Sequence, residues 1–240
     1  MADHSSNTVY LVTGANRGIG LAIVKLLSAR PKTTIIATTR SFSTPSPFDA
    51  TTPHHATSCV IPILLDDAKD EISSSTLPSR LQSLGITHIN TLIANAGSAT
   101  GFKSVFDTTE EEYLADLNVN TLGPIRLFKA LWPLLEKEGG KFVVIGSSVG
   151  SIGGLVTPEG EVEGGMLVCG GYGLSKCGVG WWVMKLRAEL KMQRKGVVVG
   201  VVHPGWVKTE MGQGLADAID KLTMENSGQF WRWDGGVLPW

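Results

Sequence analysis

Residues 172–176 read YGLSK, placing a phenol and an ammonium four positions apart. Four positions is about one helical turn, so both side chains can share a face. A neighbouring ammonium favours the phenolate, and such a pair can exchange a proton with a substrate oxygen near neutral pH. The same spacing also describes a half-buried aromatic beside a solvated lysine, and the pentapeptide alone does not separate the two. A second stretch with chemical content is TGANRGIG, Thr13–Gly20, which follows the apolar run TVYLVTG and precedes a helical pattern. In a strand–turn–helix setting Gly14 can make the sharp turn, Gly18 lets the backbone approach a phosphate, and Gly20 lets helix and strand close up. The helix N-terminus then aims N–H groups and a positive dipole end at a pyrophosphate.

The elements that must hold these residues alternate along the chain. Strands are expected at 8–14, 33–39, 58–65, 89–97, 140–147 and 196–205, where short runs are apolar on both faces. Helices are expected at 19–29, 110–117, 121–137, 173–194 and 214–222. This alternation predicts an α/β fold, a single doubly wound Rossmann domain over 1–240 with a seven-stranded parallel sheet. The seventh strand is expected around 229–234. Two stretches break the pattern: 41–57, rich in Ser, Thr and Pro, and 150–171, rich in glycine. Both read as loops.

Composition narrows the function. The 240 residues are 42% apolar and 18% charged, with a formal net charge of −1, which offers no electrostatic footprint for nucleic acid or an anionic membrane. No apolar run reaches the ~18–20 residues of a membrane span, and the N-terminus lacks the pattern of a secretion signal. Cys59, Cys169 and Cys177 have no CxxC spacing. Free thiols in a reducing, cytoplasmic setting are expected, with no metal site. Cys169, close to Tyr172, reads as an ordinary small residue or as a reactive thiol.

Seven stretches, in order across almost the whole chain, resemble the short-chain dehydrogenase/reductase family. They are TGxxxGxG at 13–20, LLDD at 64–67, IANAG at 93–97, NVNTLGP at 118–124, VIGSS at 144–148, YGLSK at 172–176 and HPGWVKTEM at 203–211. The resemblance implies a nicotinamide cofactor held by Gly14, Asn16, Arg17, Gly18, Ile19 and Gly20 in the first turn. Asp66 would hold the adenine amino group, and Asn95, Ala96 and Gly97 would border the cofactor. Pro204, Val207 and Thr209 would flank the nicotinamide. The implied catalytic group is Asn120, Ser147, Tyr172 and Lys176, with Ser148 as the alternative serine. Tyr172 would donate the proton during reduction, and Lys176 would bind the nicotinamide ribose. Ser147 would bind the carbonyl, and Asn120 would hold a relay water.

The cofactor's phosphate can be read from the residues themselves. NAD sites place a carboxylate at the end of the second strand. Here that strand ends ATTR, with Thr39 where the acid would lie, then Arg40, and Arg17 sits in the glycine turn. Two guanidiniums and no acid favour a 2′-phosphate, hence NADP(H).

GSIGG after the serine, PGWVKTEMG and the C-terminal LTMENSGQFWRWDGGVLPW are similar to the fungal norsolorinic-acid ketoreductase-like and insect sniffer-like carbonyl reductases. That branch implies NADPH-dependent reduction of a ketone or aldehyde, possible roles in secondary metabolism, and a homodimer or homotetramer. Two departures stand out: a short passage from TEMGQ into GLADAIDKL where members carry a substrate cover, and a long loop between Ser147 and Tyr172. A non-catalytic NADP-binding scaffold, or a site redirected to cyclisation, isomerisation or dehydration, are the rival readings.

Overall fold

Eight strands form one sheet in the order β3-β2-β1-β4-β5-β6-β7-β8. They are β1 (Thr8–Val12), β2 (Thr33–Thr39), β3 (Cys59–Leu64), β4 (Thr91–Ala94), β5 (Glu138–Ile145), β6 (Gly196–His203), β7 (Phe230–Arg232) and β8 (Val237–Leu238). The computed structural model describes residues 4–41, 46–48, 55–66, 71–136, 138–155, 168–205 and 211–240. The order reverses between β1 and β4, the crevice where open α/β sheets bind ligands. All neighbours pair in parallel except β7 and β8, which are antiparallel. The sheet therefore has eight strands rather than the expected seven. The turn around Gly235, at a φ of +89°, sends the chain back along β7 as a hairpin. The expected strand at 229–234 contracts to Phe230–Arg232 for the same reason.

The helices are α1 (Gly18–Ser28), α2 (Glu71–Ser83), α3 (Glu110–Leu117), α4 (Gly123–Leu131), α5 (Gly170–Met192) and α6 (Met211–Asp220). Successive strand residues feed opposite layers: Leu11, Leu92 and Phe142 join the core under α2, α4 and α5, whereas Val12, Ile93 and Val143 join the core under α1 and α6. This explains why the strands are apolar on both faces.

Three helices differ from expectation. The sequence does not announce α2, because EISSSTLPSRLQS is serine-rich and carries Pro78; Leu77 and Leu81, four apart and fully buried, pin it to the sheet. The expected helix 121–137 is really a π-helical turn, Asn118–Leu122, followed by α4, which stops at Leu131 before Trp132–Pro133. Pro124 lacks an N–H and its ring crowds the carbonyl four residues back. The wider turn relieves this, and the Gly123 amide bonds to the Asn118 carbonyl five residues back. The helix expected at 214–222 starts at Met211 and stops at Asp220, where the Lys141 ammonium caps the carbonyls of Ile219 and Asp220 at 2.8 and 2.9 Å.

The adjacent tryptophans of α5 part company. Trp182 packs against Phe128 and Phe142, at centroid distances of 5.6 and 6.1 Å, while Trp181 is 63% exposed. Trp240 stacks on Phe230 at 5.3 Å, and its carbonyl takes the Gly153 amide at 2.7 Å. Trp233 lies against Gly205 and Gly214, where an added methyl would come within 2.5 Å of the indole. Trp206 and most of the glycine-rich loop, residues 156–167, lie outside the described residues.

Candidate active site

The first turn of α1 and the loop after β4 build a cradle. Gly14 and Gly18 have φ values of +59° and +54°, conformations that favour glycine. A methyl on Gly14 would sit 2.9 Å from the Ala96 Cα, and one on Gly20 would meet the Gly14 carbonyl oxygen at 2.4 Å. Close packing therefore forbids side chains at both. Gly18 differs, since no atom lies within 4 Å of where its methyl would be. Asn95 stitches the strand ends together: its Nδ2 donates to the carbonyls of Thr13 and Gly14 at 2.8 and 3.2 Å. The Thr13 hydroxyl accepts from the amides of Asn95 and Ala96 at 3.0 and 2.9 Å.

A cleft of about 460 Å³ opens over this cradle. Gly14, Asn16, Arg17, Gly18 and Ile19 line one side, and Arg40 and Asp66 line the other. Asn95, Ala96 and Gly97 form its floor toward β4. Both guanidinium residues, Arg17 and Arg40, are exposed. Thr39 turns its hydroxyl back to the Ser41 carbonyl at 2.8 Å, so the end of β2 presents no acid. The open face at Gly18, the helix N-terminus and the two arginines fit the phosphates of a dinucleotide.

Ile19, Asn95, Gly97 and Ser98 also line a second cavity, of about 350 Å³, so the two adjoin. Ser147, Tyr172, Lys176 and Pro204 line it. Ser147 stands close enough to the Tyr172 phenol to lower its pKa. Burial dominates and pushes the phenol up, with smaller upward effects from Cys169 and Asp116. Tyr172 is therefore held protonated. Lys176 is buried, and loss of hydration pulls its ammonium down to about 8. Its Nζ donates to the Ile145 carbonyl at 2.8 Å and stands 5.6 Å from the Tyr172 ring centroid. Of the two serines left open by counting along the chain, only Ser147 both lines the cavity and reaches Tyr172.

Asn120 sits in the π-helical turn and is fully buried. Its Oδ1 accepts from the Ser98 amide at 2.9 Å, while Nδ2 donates to the Ser98 carbonyl at 2.7 Å and to the Ser175 hydroxyl at 2.9 Å. Ser175 in turn donates to the Tyr172 carbonyl at 2.7 Å. The side chain thus braces the Ser98 loop against the second turn of α5. Asp116 extends the brace by accepting from the Thr100 amide and hydroxyl at 3.0 and 3.1 Å. A methyl at Gly97 would lie 3.2 Å from the Asn120 Oδ1 and 3.6 Å from the Lys176 Nζ, so the glycine preserves the approach between the two halves.

The structure adds cavity residues that sequence reasoning did not assign: Phe102, Val149 and His203. Phe102 follows the IANAG stretch in a loop without periodicity, so only its exposure at the cavity marks it. Cys169 lines the cavity too, but burial pushes its thiol up, so it remains a thiol rather than a reactive thiolate. Val207 and Thr209 lie outside the described residues. Among the described residues there is no metal-ligating cluster, and no helix is long and apolar enough to cross a membrane.

A glycine cradle at the switch point of a parallel sheet adjoins a cavity lined by Ser147, Tyr172 and Lys176. The sequence profile of the short chain dehydrogenase family matches residues 8–220. The chain belongs to the short-chain dehydrogenase/reductase family, whose members bind nicotinamide cofactors, and is an oxidoreductase acting on carbonyl or CH–OH groups. It is 31% identical over 258 residues to norsolorinic acid ketoreductase of Aspergillus parasiticus, covering 97% of this chain and 91% of that one. Among solved structures, NADPH-bound carbonyl reductase from chicken fatty liver superposes with a TM-score of 0.80 at 25% identity, covering 98% and 99% of the two chains. Carbonyl reductase Sniffer of D. melanogaster superposes with a TM-score of 0.79 at 27% identity and the same coverage.

Proposed function

We propose that this chain reduces a ketone or aldehyde with NADPH, and that Tyr172 delivers the proton. The observation that carries the reading is that Ser147, Tyr172 and buried Lys176 line one cavity that adjoins the glycine cradle. The chemistry a reduced nicotinamide would supply here, when held by the glycine cradle, is a hydride for the carbonyl carbon. Ser147 donates a hydrogen bond to the carbonyl oxygen, and Tyr172 gives its proton to that oxygen as the alcohol forms. Lys176, largely protonated at neutral pH, holds the nicotinamide ribose hydroxyls and offsets negative charge on the phenol. Asn120 keeps the Ser98 loop and α5 in register. Arg17 and Arg40 would receive the 2′-phosphate and Asp66 the adenine, and Pro204, with Val207 and Thr209 as the family resemblance implies, would flank the nicotinamide end.

The test is loss of the NADPH absorbance against ketones, quinones and polycyclic hydroxy-ketones, with NADH as control. The ketoreductase relative supports beginning with aromatic ketones. Turnover preferring NADPH supports the reading; conversion of a panel member without NADPH loss sinks it. Arg40→Ala is expected to raise the Kd for NADPH about tenfold, as for a charge-assisted contact of ~1.5 kcal/mol, with NADH nearly unaffected. Equal weakening of both cofactors in titration calorimetry would remove the 2′-phosphate contact.

The exposed Leu174 and Trp181 on α5 support a homo-oligomer joined through that helix. Trp181→Glu is expected to convert it to monomers in light scattering. A wild-type chain that is already monomeric would end this reading.

A further inference from the structure

His203 ends β6, on the strand next to the one that leads into Ser147. It is 8% exposed and lines the same cavity as Ser147 and Tyr172. Immediately after Ser147 the chain makes a single helical turn, Ser148–Gly150. The first amides of such a turn have no partner within it. Here the Ser148 amide donates to the His203 Nδ1 at 3.2 Å. The His203 backbone is itself fixed, because its carbonyl accepts the Trp233 amide at 2.9 Å and the residue pairs with Arg232 of β7.

We propose that His203 is a positioning residue: its neutral imidazole holds the Ser148 amide and so aims the Ser147 hydroxyl at Tyr172 and the substrate oxygen. The inference rests on Ser147 acting as the carbonyl donor. An Nδ1 that accepts leaves the ring proton on Nε2, and a doubly protonated ring has no acceptor to offer. Protonation would therefore set a cation against the Ser148 N–H and release the turn. Burial keeps the ring neutral below the ordinary histidine range. Arg232 on β7 acts in the same direction, and Asp234 beyond it opposes. From α5, Tyr172 and Lys176 line the cavity, as does Cys169 just before the helix, and neither Tyr172 nor Cys169 carries charge at neutral pH. Catalytic competence accordingly persists at mildly acid pH and fails only as His203 titrates, below the ordinary histidine range.

The experiment combines two variants with a measurement on the unmutated protein. His203→Leu removes the acceptor and is expected to lower kcat between ten- and a hundredfold, roughly the effect of a displaced catalytic group, with the KM for NADPH unchanged. His203→Asn places an amide oxygen where Nδ1 accepts. It is expected to restore kcat to near wild type and to abolish the acidic limb of the kcat profile. A Leu variant with wild-type kcat, or an Asn variant that keeps the acidic limb, overturns the proposal. In the wild-type protein without substrate, nitrogen-15 NMR at pH 7 is expected to find His203 protonated on Nε2 alone. A ring protonated on Nδ1 overturns it. This arm needs no turnover and no variant, so neither a missed substrate nor a misfolded mutant leaves the question open.

Discussion

Tyr172→Phe is expected to lower kcat for carbonyl reduction by roughly 10²–10⁴-fold, the span typical of a lost general acid, while NADPH affinity changes little. The phenol is pushed up by burial and so holds its proton at neutral pH, the state a reduction requires. Phenylalanine keeps the ring that lies 5.6 Å from the Lys176 Nζ and removes only the hydroxyl. Ser147 would then lose its protein partner but remain free to bind the substrate oxygen. The loss should therefore appear in kcat and kcat/KM together, the signature of an interaction made in the transition state. Stopped-flow single turnovers with a ketone substrate, together with NADPH titration, separate the two quantities. A variant that turned over at the wild-type rate would show that the proton comes from elsewhere.

Lys176→Met is expected to abolish useful turnover and yet to make the cofactor-free protein more stable at pH 7. The side chain is buried, and its ammonium, pulled down to about 8 by desolvation, has the Ile145 carbonyl as partner at 2.8 Å. A displacement from 10.5 to about 8 corresponds to about 3 kcal/mol of strain on the folded state whenever the lysine is charged. That cost is fully present below pH 8. Between pH 8 and 10.5 the unfolded chain keeps a proton the folded chain gives up, so wild-type stability rises with pH and the cost disappears. Methionine removes it at every pH but leaves the Ile145 carbonyl unpartnered, a loss of ~1 kcal/mol. The variant should thus lead by ~2 kcal/mol at pH 7, about 4–8 °C in Tm, and lose that lead by pH 10.5. Urea unfolding of both proteins at the two pH values measures the difference. A methionine variant less stable than wild type at pH 7 would refute the desolvation account. The native lysine is retained at this cost because a cation beside the phenol and the ribose site is what the proposed chemistry uses.

Much of this architecture is written locally. The runs at 33–39 and 196–205 read as strands because they are apolar on both faces, and the structure returns β2 over the first and β6, Gly196–His203, within the second. The helix expected at 110–117 is α3, and the structure shows it opened by a reciprocal capping box, with the Thr109 amide donating to the Glu112 carboxylate at 3.0 Å. Elements whose stability is borrowed from elsewhere were not legible. Helix α2 has weak intrinsic propensity and exists because Leu77 and Leu81 are buried against the sheet. Strand β8 is two residues long and needs β7 as its template.

The sequence by itself determined the alternating α/β order, the glycine cradle between strand and helix, the missing acid at Thr39, and the helical spacing of Tyr172 and Lys176. Each is a property of one continuous segment, set by backbone geometry and side-chain periodicity. Only the tertiary structure decided that Ser147 rather than Ser148 meets Tyr172, that Asn120 lies in a widened turn braced to Ser98 and Ser175, and that His203 holds the next amide. Ser148 and His203 are 55 residues apart, as are Asn120 and Ser175. Their meeting depends on the register of β5 against β6 and on the packing of α5 beside the π-helical turn, where a shift of one residue would turn each side chain to another face.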